Sequence, residues 1–189
     1  MTMQTSTLAS SLWPRAAESA AAKAALVAIG VLALAVSSKV QVPFWPVPMT
    51  LQTAVVLLIG AGYGARLAGT TLLAFLAAGA VGLPVLASGA GLAYMAGPTG
   101  GYLVGFLLAA VVMGHLTDRG LGRSPVQVIA LMLLGEILIF ALGVAWLAGF
   151  TGAEKAVAAG LLPFLPAEAL KAALATALLA AGWNAATRD

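Results

Sequence analysis

Hydrophobic residues run along this chain in long unbroken blocks, and the polar positions gather in the short breaks between them. A helix needs about 20 apolar residues to cross a bilayer, with roughly 17–25 the usual range. On that basis the blocks near 23–37, 50–62, 66–81, 101–116, 126–150 and 166–186 are read as six spans. The second is short, which predicts a tilted helix or one flanked by buried loop. The blocks are continuous and rich in Ala and Leu, without the period-two alternation of an outer-membrane barrel. The expected fold is therefore an all-α integral membrane protein. No internal repeat and no linker divides it, so residues 1–189 are read as one six-helix transmembrane domain.

The breaks differ from one side to the other. An even number of spans puts both termini on the same face. With the N-terminus cytoplasmic, Arg15, Lys23, Arg66, Arg119, Arg123 and Arg188 face inward, while Lys39 and Lys155 fall in outer loops. That asymmetry obeys the positive-inside rule. Inner connections are short and polar, as in "TDRGLGRSP" at 117–125. Outer connections are apolar and broken by Pro and Gly. "VQVPFWPVP" at 40–48 has three prolines, which forbid helix and favour an extended path. "GLPVLASGAGLAYMAGPTGG" at 82–101 has six glycines and two prolines. Irregular apolar backbone at membrane depth must pack on protein or line a cavity. Near the N-terminus, Arg15 and Lys23 precede an apolar stretch ending Ala33-Leu34-Ala35, similar to a signal-peptidase site. Small residues are frequent throughout the chain, and the segment is read as a retained first span.

Composition narrows the class further. Of 189 residues, 62% are hydrophobic and 8% charged, with mean hydropathy +1.06. A soluble domain carries about 25% charged residues. The net charge of +3 and pI near 9.6 follow from the basic inner loops. No basic cluster or aromatic–basic module accompanies them, so nucleic acid is not an expected partner. There is no cysteine and one histidine, His115. That excludes disulfides, thiolate chemistry and Cys/His zinc sites. His115, at the inner end of the fourth span, is read as interfacial. No P-loop, H-E-x-x-H or G-x-S-x-G occurs, and "GAGYGA" at 60–65 follows no strand. Neither a cofactor nor an enzyme activity is expected.

Two charges break the last apolar block. Pro166 suits the first position of a helix, and Glu168 and Lys171, three apart, then share one face. At 1.5 Å rise per residue the pair lies a turn or two below the outer surface, where a pocket would open outward. Charge inside a span is costly and is a functional hypothesis by default. Two other readings stay open. Glu168 complements the helix dipole while Lys171 snorkels to the headgroups, or the two form a structural ion pair. Glu136, in "LLGEILIF", is a second intramembrane acid; it pairs with a neighbouring helix or holds its proton, and is a secondary candidate. Small residues at Ala17, Ala21 and Ala25, and at Ala20, Ala24 and Ala28, give the first span faces that let helices approach closely.

"VPFWPVPMTLQTAVVLLIGAGYG" at 42–64, "GLPVLASGAGLAYMAGPTGGYLVGF" at 82–106 and "LPFLPAEALKAALA" at 162–175 together resemble the BioY family. Its members are the biotin-binding membrane subunits, or S components, of energy-coupling factor (ECF) transporters. The resemblance covers most of the chain in order, and "VPMTLQT" and "GPTGGY" are its most specific strings. It implies the six-helix S-component bundle with biotin as ligand. The family usually has Asp where this chain has Glu168, followed three residues later by the Lys matched by Lys171; the exchange lengthens the arm by one methylene.

Biotin gives the pair a purpose. A carboxylate such as Glu168 accepts the ureido N–H groups, and Lys171 donates to the adjacent carbonyl or to the tail carboxylate. Gln52, Ser88 and Tyr94 are further candidate contacts, with ordinary backbone or interfacial bonding as the alternative. Gly97, Gly100 and Gly101 are read as permitting tight turns. Phe44 and Trp45 are read as lid residues or as aromatic-belt anchors. The resemblance also implies a transmembrane coupling (T) subunit and cytoplasmic ATPase subunits, since this chain has no ATPase motif. Ala20, Ala24 and Ala28 are the expected docking face for the coupling subunit. The rival reading is a self-sufficient secondary transporter in which Glu168, Lys171 or Glu136 carries protons.

Overall fold

The computed structural model describes residues 7–14 and 19–186. Arg15, Ala17 and Arg188, used above for the charge asymmetry and the small-residue faces, lie outside the described residues. Helices follow the apolar blocks closely. After a short helix α1 (Leu8–Leu12) comes α2 (Ala20–Lys39), begun by Ser19, whose hydroxyl accepts the Ala22 N–H; such a cap satisfies one of the orphan donors of a helix start. The segment expected to be extended pairs at its two ends. β1 (Gln41–Val42) and β2 (Met49–Thr50) are antiparallel, with Gln41 opposite Thr50 and Val42 opposite Met49. Proline removes ladder donors, which confines the pairing to residues outside Pro43–Pro48.

Helices α3 (Gln52–Tyr63) and α4 (Ala65–Ala80) meet at Gly64, whose φ of +79° only glycine adopts without strain. The Asp118 carboxylate accepts the Ala65 N–H there at 3.0 Å. The glycine-rich loop after α4 holds a short helix, α5 (Gly91–Met95), before α6 (Gly100–Asp118). Then come α7 (Pro125–Thr151), capped by Ser124, the amphipathic α8 (Ala153–Gly160) and α9 (Leu165–Ala186). The short helices α1, α5 and α8 fall outside the apolar blocks and were not expected. Among the described residues, α2, α6, α7 and α9 are long and apolar enough to cross a membrane, whereas α3 and α4 have 12 and 16 residues.

α6 is the central helix. Inside the molecule 61% of its most apolar stretch is buried, against 22% for α2 and α9. It packs on α7, α3 and α4. Glycine lets helices cross closely here, since a Cβ on Gly105 would stand 2.8 Å from the Ile139 Cα. Lipid is as apolar as leucine, so helices in a bilayer associate through such close packing and not through the hydrophobic effect. α2 lies at the edge, with Ile29, Leu32 and Val36 exposed.

Candidate functional site

Three chain segments bring polar groups to one point beneath the loops at 40–48 and 82–101. The strand pair delivers Thr50 directly ahead of α3, whose first turn presents Gln52 and Thr53. The first turns of α9 present Glu168 and Lys171. Lys171 Nζ lies 2.7 Å from Glu168 Oε1 and 3.1 Å from Thr53 Oγ1, and it also donates to the Thr50 carbonyl. Thr53 Oγ1 in turn donates to Glu168 Oε2 at 2.7 Å. All three ammonium protons and both carboxylate oxygens therefore have partners. Glu168 is 4% exposed and Lys171 9%. Lys171 does not snorkel; it is enclosed by protein.

Burying two charges costs several kcal/mol each and is repaid only when geometry and further hydrogen bonds are good. Here they are. Above the network lies a narrow hollow, with Thr50, Gln52, Thr53 and Glu168 in its polar wall. Tyr94, Tyr102, Phe106, Phe140 and Phe164 supply the aromatic walls. Their rings brace one another edge to face, Tyr102 on Phe140 at 5.8 Å and Phe140 on Phe164 at 5.7 Å. Tyr102 is fixed further by donating to the Gly160 carbonyl at 2.7 Å. The walls stand close together, leaving room for little more than water between them.

Of the residues expected at a site, Glu168, Gln52 and Tyr94 line this hollow, and Lys171 stands behind Glu168. Gln52 spends its amide on the Leu34 carbonyl at 3.3 Å. The Tyr94 hydroxyl is buried with no hydrogen-bond partner. Ser88 is exposed, 3.5 Å from Gln41 Oε1, and stands outside the lining, although Leu86 and Ala87 belong to it. Lys39 holds that loop by donating to the Leu86 carbonyl. Phe44 rests on Phe164 with centroids 6.1 Å apart, and Trp45 is 85% exposed; neither lines the hollow. Ala24 and Ala28 line a separate groove between α2 and α4, while Ala20 is exposed beside it. His115 is exposed near the end of α6. Glu136 on α7 lies within hydrogen-bond reach of Glu168, and its Oε1 is buried without a partner.

Sequence reading missed Thr53, the hydroxyl that joins the two charges. Its one signal was its place in "VPMTLQT", next to Gln52. The aromatic walls gave none, because Tyr102, Phe140 and Phe164 are far apart in sequence.

A family model described as the BioY family matches residues 4–188. A protein named probable biotin transporter BioY from Pyrococcus horikoshii is 38% identical over 156 residues, covering 82% of this chain and 92% of that protein. A biotin transporter BioY from Rhizobium etli is 36% identical over 163 residues, covering 82% of this chain and 87% of that one. Among solved structures, an S-component for biotin from an ECF-type ABC transporter superposes with TM-score 0.72 at 25% identity, covering 84% of this chain and 88% of that one.

Proposed function

The chain belongs to the BioY family, and from that premise we propose that it captures biotin from the outer side as the S component of an ATP-driven ECF transporter. The observation that carries this reading is a fully bonded acid–base pair at the wall of an apolar, aromatic hollow. A pocket with apolar walls and a few convergent polar groups is what a small, polar-headed ligand requires. Glu168 lines the hollow and accepts the ureido N–H protons. Lys171, set behind it with its donors engaged, keeps the carboxylate charged and aimed. That makes Lys171 a partner of Glu168 first and of the ligand second. Gln52 and Tyr94 flank the ligand, and the Tyr94 hydroxyl has a donor and acceptor to offer.

The walls stand too close for a bicyclic ligand, so binding moves the outer loops at 40–48 and 82–101. Phe44, resting on Phe164, is the lid residue best placed to close over the ligand; Ser88 and Trp45 stand farther out at the rim and make no bond to the ligand. The chain lies in the bacterial cytoplasmic membrane as one domain, with six spans and both termini inside. It has no ATPase motif. A coupling subunit docks on the α2 face that carries Ala20, Ala24 and Ala28, and cytoplasmic ATPase subunits supply the energy. Labelled-biotin binding to the purified protein tests the site: the parent binds and Glu168→Gln does not. Equal binding by both sinks the assignment. Uptake that requires the co-expressed ATPase subunits is expected; uptake by this chain alone, abolished by a protonophore, would establish the secondary transporter instead.

A further inference from the structure

Glu136 does not line the hollow. It lies on α7, one turn from Phe140, and Glu168, on α9, lies one turn beyond Phe164, the residue just before that helix, with the Glu168 N–H bonded to the Phe164 carbonyl at 2.9 Å. The two phenylalanine rings touch at 5.7 Å. Stepping one turn along each antiparallel helix from that contact sets Glu136 against Glu168, where the two carboxyls are within hydrogen-bond reach. Among the described residues, Glu168 and Lys171 are the ionisable groups that bear on Glu136.

Two carboxylates cannot hydrogen-bond each other, because both groups only accept. If both acids were ionised, Lys171 would neutralise one and leave a part-buried negative charge within an apolar helix without a counter-ion, which is unfavourable. One proton removes both difficulties. It supplies the missing donor, and the trio of Glu136, Glu168 and Lys171 becomes neutral. Glu168 already takes Lys171 on one oxygen and Thr53 on the other, so it is the member held as carboxylate. The proton belongs on Glu136, whose Oε1 is otherwise a buried orphan.

We propose that Glu136 is a positioning residue for the biotin site: it is a carboxylic acid that donates its proton in a hydrogen bond to Glu168. It touches neither the hollow nor the ligand, and acts by fixing the carboxylate that does. The inference about binding rests on the biotin reading above, whereas the proton assignment does not.

Isotope-edited infrared spectra of the purified, ligand-free chain in lipid test the proton directly. A carboxylic-acid C=O band is expected in the parent and lost in Glu136→Gln. Absence of the band from the parent, or its survival in Glu136→Gln, overturns the proposal. Labelled-biotin binding then separates a donor from a space-filler. Glu136→Gln, whose amide still donates to Glu168, is expected to bind within about twofold of the parent, and Glu136→Leu about tenfold more weakly. Parent-like binding by Glu136→Leu, or equal loss in both variants, also overturns it. A parent that binds no biotin would defeat the ligand reading, and the spectra alone would then decide the proton.

Discussion

The groove between α2 and α4 is far larger than the hollow beneath the loops at 40–48 and 82–101, yet the smaller space has the buried polar network. In the groove, small and aliphatic side chains such as Ala24, Ala28 and Val31 make the walls, and the cations Lys23 and Arg66 are exposed. Its threonine hydroxyls serve their own helices, Thr70 donating to the Arg66 carbonyl and Thr7 capping Ser10; the Tyr63 hydroxyl makes one bond across, to the Leu26 carbonyl at 3.2 Å, and is only part-buried. In the hollow, polar groups from β2, α3 and α9 bond across elements and are buried while doing so. Volume therefore does not mark the site. Convergence of buried polar groups does, because each must repay its own desolvation. A wide, smooth, small-residue groove suits a helix laid along it; a narrow hollow with an aimed carboxylate suits a small ligand with N–H donors.

The contrast can be broken most forcefully at Lys171. Replacing it in Lys171→Met leaves Glu168 buried without its counter-ion, a change that costs about 3–5 kcal/mol. The expected outcome is a large fall in the thermal unfolding midpoint in detergent together with loss of labelled-biotin binding; an unchanged midpoint would show that Glu168 does not depend on Lys171 as its counter-ion. Thr53→Val is milder. It removes the hydroxyl that donates to Glu168 and accepts from Lys171, which costs about 1–3 kcal/mol and weakens biotin affinity about tenfold, as equilibrium binding would measure.

At the groove the expected effects move to a different assay. Ala24→Leu overpacks a small-residue face, for which about 1–3 kcal/mol is typical. Co-purification with the coupling subunit should drop while biotin affinity stays at the parent's value. A fall in biotin affinity with co-purification intact would reverse the assignment of the two hollows. Smallest of all is Ser88→Ala. The side chain is exposed and makes one long contact with Gln41, so stability should change by less than about 0.5 kcal/mol, with biotin binding unaltered.

Most of the helical frame was legible because a bilayer demands long apolar runs, and the blocks at 101–116, 126–150 and 166–186 lie within α6, α7 and α9. The Glu168–Lys171 pair was legible for a related reason: a three-residue spacing fixes a shared face within one helix. What joins different helices was not. Thr53 reaches Glu168 across 115 positions of sequence, and Glu136 meets the same carboxylate from α7. Neither contact follows from spacing, since each depends on the register at which two helices cross. The strand pair escaped notice because two residues on each side are too few to give an alternating pattern.

The central claim is that these charges are kept for a ligand and not for the fold. Purified Glu168→Gln/Lys171→Met, which removes both charges at once, tests it by thermal unfolding and labelled-biotin binding on the same sample. Replacing a buried ion pair by uncharged groups is often neutral or stabilising, so a midpoint at or above the parent's with no detectable biotin binding is the expected result. Biotin bound at the parent's affinity by that doubly neutral protein would contradict the account.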